Sequence, residues 1–215
     1  MTKLVALVDG SIYSQSVCEH VAWIAGRTGS DVEILHVIGR RETGSAPQDL
    51  SGSISLGART ALLEELSSLD EQRAKISQMR GRAILDDAKA LLEQAGVSSV
   101  ATKLRIGDLV DSVAESESDA DLIVLGKRGE AADFATAHLG SNLERIVRSS
   151  AKPVFVASRA FVPIERFLIA YDGGVSSMKA VDYIARSPLF TGLECRLLMV
   201  GQETANNRRQ IEGAE

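Results

Sequence analysis

Gly126, Gly129, Gly140, Ser141 and Asn142 are the residue types that hold a phosphate. The first two follow the apolar run Leu122–Leu125, where a missing Cβ lets backbone approach a ligand closely. Gly140 and Ser141 open a helix-like run, and the free N–H groups of a helix start, the Asn142 amide among them, attract an anion. Lys127 and Arg128 stand between the two leading glycines and can add charge-assisted bonds. Their alternative reading is solvated surface charge. Asp9 closes an earlier apolar run and can accept hydrogen bonds from an adenine amine or a ribose hydroxyl; alternatively it caps the helix that follows it. Backbone atoms near Val37, at the end of the next apolar run, can read a base edge. The chemistry these residues suggest is the holding of an adenine nucleotide.

For such residues to meet, their elements must end on one side of one sheet. Lys3–Val8 is a continuous apolar run, as in a strand buried on both faces, and Ser14–Ala25 has helical spacing. Val32–Ile38 is a second buried strand, so the chain opens β-α-β. Gly39–Ser55, with three glycines, five Ser or Thr residues and Pro47, is predicted to be a mobile loop. A helical segment follows from Leu56 to Ala95. Its length, about 60 Å, exceeds any strand here, so part of it is expected to project from the sheet, as a lid or partner surface, or to break near Gly81; the alternative is a bent helix packed on its own domain. Val97–Leu104, Leu122–Leu125 and Pro153–Ala157 complete five strands, with helices over Leu109–Ser116 and Asn142–Ser149 between them. The predicted fold class is α/β: a doubly wound, Rossmann-like, five-stranded parallel sheet of order 3-2-1-4-5. Ligands bind such sheets at the carboxyl ends of strands, where the order reverses.

The remainder restarts the pattern. Arg166–Tyr171, Ser176–Ala185 and Glu194–Val200 repeat strand, helix and strand. Asp9 answers to Asp172, Ser14 to Ser177, Leu35 to Leu198 and Val37 to Val200, each pair 163 residues apart. A gapless register over this span indicates a duplicated module. The expected domains are 1–160, which binds nucleotide, and 161–215, a partial β-α-β second copy ending in the polar tail Glu203–Glu215. The second copy carries no counterpart of the glycine cradle, so one nucleotide site per chain is expected. Two strands and one helix rarely hold a core alone. Either the chain is cut short, or this half-module packs on the first domain or on a second copy.

The formal charge of -5 and a pI near 5.4 argue against nucleic acid as the main partner. No apolar run is long enough to span a membrane, and MTKLVALVDG is too short for a signal peptide, so the cytoplasm is the expected location. Cys18 and Cys195 are read as reduced core thiols, and His36 as a satisfied core residue. No Gly-x-Ser-x-Gly, His-Glu-x-x-His or Walker motif occurs, and no metal cluster is evident; the three histidines are scattered at His20, His36 and His138. The chain is therefore not read as an enzyme, although a slow ATPase activity is compatible with these residues.

The ending VDGS of the first strand, the ending HVI of the second, and GKRG followed by GSN resemble the universal stress protein family. The likeness covers residues 1–158, and again 166 to about 202, as in tandem two-domain members. ATP-binding members carry Gly-x2-Gly-x9-Gly-[Ser/Thr]. Here ten residues separate Gly129 from Gly140, one more than the signature, and the extra residue falls within Glu130–Leu139. The resemblance implies that Asp9, Val37, Gly126, Gly129, Gly140, Ser141 and Asn142 contact nucleotide. It implies ATP or AMP as bound effector, with magnesium as a companion of the triphosphate, ordering the 130–139 loop and the long helix to alter a surface for a regulatory protein. It also implies a homodimer through the strand 153–157. The alternative is a ligand-free scaffold or dimerisation module of the same fold.

Overall fold

Five apolar runs form one parallel sheet: β1 (Lys3–Leu7), β2 (Asp31–Gly39), β3 (Val100–Gly107), β4 (Leu122–Gly126) and β5 (Val154–Ala157). Their order is β3-β2-β1-β4-β5, the order expected from the sequence. The computed structural model describes residues 3–39, 56–127 and 141–214. The loop expected over Gly39–Ser55 lies, apart from Gly39, outside the described residues. Central β1 pairs with β2 from Lys3↔Asp31 to Leu7↔Leu35, and with β4 from Leu4↔Leu122 to Ala6↔Val124.

Among the described residues, four helices connect the strands: α1 (Ile12–Thr28), α2 (Leu56–Gln94), α3 (Leu109–Glu117) and α4 (Ser141–Ser149). Successive strand residues point to opposite faces, and the alternation sorts the core. Val5, Leu35, Ile123 and Leu125 meet Val113 of α3 and Leu143 and Ile146 of α4. The alternate residues Leu4, Ala6, Ile34 and Val124 are also buried, on the face that the right-handed crossovers give to α1 and α2. Each fully buried Val, Leu or Ile contributes about 1.5–3 kcal/mol, so this aliphatic double layer replaces the aromatic core that the composition lacks.

Helix α2 runs unbroken through Gly81, contrary to the alternative of a break there. The glycine serves packing: a Cβ at Gly81 would stand 2.8 Å from Leu104 Cδ1 and 3.0 Å from His36 Cδ2. From Gly81 onward α2 buries Leu85, Ala88 and Leu92, while residues 62–80 include no buried side chain. His36 is the buried, satisfied residue expected, with Nδ1 2.7 Å from the Val8 carbonyl. Strand β3 starts three residues later than expected. Val97 is buried in the turn after Gly96, whose φ of 89° ends the helical direction, and its N–H bonds the Leu92 carbonyl.

The chain divides into two compact units, Met1–Phe161 and Val162–Glu215. Phe161 stays with the first because its ring meets the His20 ring edge-on at 5.0 Å. In the second unit β6 (Arg166–Ala170) and β7 (Glu194–Leu198) form a parallel pair connected through α5 (Val175–Arg186). Their register, from Arg166↔Glu194 to Ala170↔Leu198, is that of β1 with β2 shifted by the repeat distance. The repeat reaches individual torsions, since Gly10 has φ 77° and Gly173 φ 76°. Two expectations change here. The polar tail contains helix α6 (Ala205–Glu212), capped by Thr204, whose Oγ1 accepts the Asn207 N–H. Cys195 is exposed, although it shares a face of β7 with half-buried Leu197; only Cys18 is a buried thiol.

Candidate functional site

The crossover from β1 leads through α1 toward β2 on one side, whereas β4 lies on the other side and leads through α4 to β5. The order therefore reverses between β1 and β4, and a crevice opens outside their carboxyl ends. Asp9 follows β1 at this mouth, and Gly126 is the last residue of β4. Gly126 pairs with Ala157, and the exposed Lys127 donates its N–H to the Ala157 carbonyl at 3.0 Å. Val37 lies near the end of β2, half-buried against the α3–α4 side of the core beside Leu7. Ser141 is the first residue of α4 and Asn142, exposed, is the second. Arg128, Gly129 and Gly140 lie outside the described residues. The structure thus brings Asp9, Gly126 and Lys127 to adjacent strand ends, with Val37 one strand further out.

Asp9 is built into a closed local circuit. Its Oδ1 accepts the Ser11 N–H at 3.0 Å and the Ser14 hydroxyl at 3.3 Å. Ser14 Oγ in turn accepts the N–H groups of Asp9 and Gly10, at 3.2 and 3.0 Å. Ser11 caps α1, accepting the Tyr13 N–H. The capping alternative for Asp9 is thereby partly realised: its carboxylate braces the loop, and Ser11 caps the helix. Gly10 sits in the left-handed region beneath α2, where a Cβ would lie 2.7 Å from Ile84 Cδ1. The second unit repeats the carboxylate half of this circuit at Asp172, whose Oδ1 accepts the Gly174 N–H at 2.8 Å and the Ser177 hydroxyl at 2.6 Å. Those bonds, the Ser177 hydroxyl foremost, hold the Asp172 carboxyl below its ordinary range.

Two carboxylates escape a motif-based reading, Asp108 at the carboxyl end of the sheet and Glu117 at its amino end. Asp108, directly after β3, accepts the Val110 and Asp111 N–H groups and caps α3. It also takes both oxygens to Arg145 of α4, at 3.2 and 2.9 Å. The Arg145 hydrogen bond, then the Val110 N–H, holds the Asp108 carboxyl below its ordinary value. Arg145 lies one helical turn after Ser141, so this pair ties the start of α4 to the end of β3. Glu117, buried at the end of α3, accepts from the Ser150 hydroxyl and from the Ala151 and Lys152 N–H groups, fixing the turn into β5. The legible signal for Asp108 was an Asp before the apolar-periodic run Leu109–Val113; the long-range partners of both carboxylates had none.

Among the described residues no group of three or more His, Cys, Asp or Glu side chains could hold a metal ion. Among them also, no helix is long and apolar enough to cross a membrane. What the crevice offers chemically is a braced carboxylate, a glycine at a strand end and a helix start: recognition groups for a polar, anionic ligand.

A family model described as the universal stress protein family matches residues 1–158. Universal stress protein Slr1230 of Synechocystis sp. (strain ATCC 27184 / PCC 6803 / Kazusa) is 37% identical over 203 residues, which are 94% of this chain and 71% of that protein. Among solved structures, a universal stress protein from Archaeoglobus fulgidus DSM 4304 matches 99% of this chain and 74% of its own, with TM-score 0.71 and 19% identity. Universal stress protein UspA from Lactobacillus plantarum matches 73% of this chain and 97% of its own, with TM-score 0.51 and 21% identity. At these identities the solved structures show the fold.

Proposed function

The chain belongs to the universal stress protein family, and from that premise we propose that it binds an adenine nucleotide, ATP or AMP, as an effector outside the carboxyl ends of β1 and β4. The observation that carries this reading is the reversal of strand order between those strands, with Asp9 on one lip and Gly126 on the other. Asp9 would accept from the base or ribose, and backbone near Val37 would read the base edge. Gly126 and the N-terminal N–H groups of α4, at Ser141 and Asn142, would meet phosphate, together with Gly129 and Gly140 from the sequence signature. Lys127 and Arg128 would add charge, and magnesium would arrive with a triphosphate. The residues fit such a ligand because Gly126 and the start of α4 offer backbone rather than bulk. We assign no hydrolytic step. The edge strand β5, with Val156 40% exposed, is the surface we propose for a homodimer, and a regulatory protein would read the nucleotide-dependent surface.

The test is calorimetric titration of ATP and AMP into the protein, with identification of any small molecule released on denaturation. Gly129→Val with Ser141→Ala should abolish binding; unchanged affinity in that double variant defeats the proposal. One observation favours the second reading, a ligand-free scaffold. The Asp9 carboxylate is already engaged by the Ser11 N–H and the Ser14 hydroxyl, bonds that brace the loop without any ligand. No thermal shift with either nucleotide is the result expected of that scaffold.

A further inference from the structure

Residues 62–80 of α2 bury no side chain, and Leu63, Leu69, Ile76 and Met79 stand 51%, 43%, 65% and 70% exposed there. Leu69, Ile76 and Met79 continue the half-buried Leu62 and Leu66 in steps of three, four or seven, the seam that a facing helix fills. An apolar seam does not name its occupant, but the charges beside it do. From Thr60 to Gln72 every charged residue is acidic: Glu64, Glu65, Asp70 and Glu71. From Arg73 to Leu85 every charged residue is basic: Arg73, Lys75, Arg80 and Arg82.

Neither local source of charge order accounts for this division. The helix dipole acts within the terminal turns, whereas the acidic block starts two turns inside α2 and Asp86 and Asp87 follow the basic block. A merely solvated helix gains from opposite charges three or four residues apart, and segregation forfeits those pairs within each block, leaving them only at the block edges: Asp70 with Arg73, which meet at 3.9 Å, and by spacing Glu71 with Lys75 and Arg82 with Asp86.

We propose that this stretch of α2 pairs antiparallel with the same stretch of a second copy of the chain, about a two-fold axis near Gln72. The acidic block of each helix then faces the basic block of the other, and Leu66 and Leu69 face Met79 and Ile76. A parallel, in-register pair would set like charge on like. Any other partner would need both blocks in reversed order, which a second copy supplies through symmetry. The pairing is independent of the nucleotide reading and of the β5 edge.

The test uses the full chain. Glu64→Lys/Glu65→Lys makes the stretch mostly basic, and Lys75→Glu/Arg82→Glu makes it mostly acidic. Each should weaken self-association in sedimentation at least tenfold at low salt, with an unchanged circular dichroism spectrum. Mixed and labelled on exposed Cys195 with donor and acceptor dyes, the two should form mixed pairs in excess over the statistical fraction. Gln72→Cys in a Cys195→Ser background should cross-link to itself on mild oxidation. Statistical mixing, parent-like association of both variants, or absence of the Gln72→Cys cross-link overturns the proposal. Pairing through β5 alone gives statistical mixing, so the two interfaces are told apart.

Discussion

Gly10 concentrates two constraints in one residue. Its φ of 77° costs a side-chain-bearing residue about 1–2 kcal/mol, and its missing Cβ leaves room for Ile84. Gly10→Ala should therefore destabilise the first unit by about 1–2 kcal/mol in urea unfolding, with a smaller steric part added because the Ile84 terminal methyl can swing only partly aside. Measured in an Ile84→Ala background, the same substitution should retain the backbone part and lose the steric part. An equal loss in both backgrounds would mean that Ile84 does not set the spacing. The two cysteines differ as sharply at this scale. Burial, then the nearby Glu19 charge, pushes the Cys18 thiol up to about 11, so it stays protonated, while Cys195 faces solvent.

At the scale of elements, Glu117 shows how a helix end can place a strand. Glu117→Ala would strip the Ala151 and Lys152 N–H groups and the Ser150 hydroxyl of their acceptor. The expected cost is about 2–3 kcal/mol, and exchange of the β5 amides should accelerate with it. Glu117→Gln, which keeps an acceptor oxygen, should lose less; equal losses would assign the effect to packing alone. Elements whose burial follows a period were legible: Leu4, Val5 and Ala6, or Ile34 and Leu35, announce strands by continuous apolarity. What escaped was decided by contacts between elements. Gly81 reads as a helix breaker until Leu104 and His36 are seen against it. Val97 reads as a strand start but plugs a turn. Helix α6 has a legible cap in Thr204 but almost no apolar face to betray it. Of the candidate site, the places of Asp9 after β1 and Gly126 at the end of β4 could be read from the apolar runs they close, whereas the Asp108–Arg145 tie spans 37 residues and has no local signature.

For the whole molecule, acid is the informative perturbant. Burial alone would raise the Glu33 carboxyl, but the Lys3 hydrogen bond, the Lys103 and Lys3 charges and the Ser116 hydroxyl outweigh it and lower the value from 4.5. Asp108 is likewise lowered from 3.8 by Arg145. A carboxyl lowered on folding adds stability that is complete above its unfolded value and is lost as pH falls through its folded value. The urea midpoint should therefore hold near neutrality and drop below about pH 4. Lys3→Met/Lys103→Met should lower the stability at neutral pH and shrink that drop, because Glu33 then lacks the partners that favour its ionised form; an undiminished drop would remove Glu33 from the account. The unburied stretch of α2 has a consequence of a mechanical kind. Gly81 and Ile84 are where the helix bears on the sheet and on the Asp9–Gly10 loop, and Leu62 lies about 28 Å beyond. That is a lever arm with its fulcrum beside the crevice: a tilt of about 10° at the fulcrum would sweep the far end through about 5 Å.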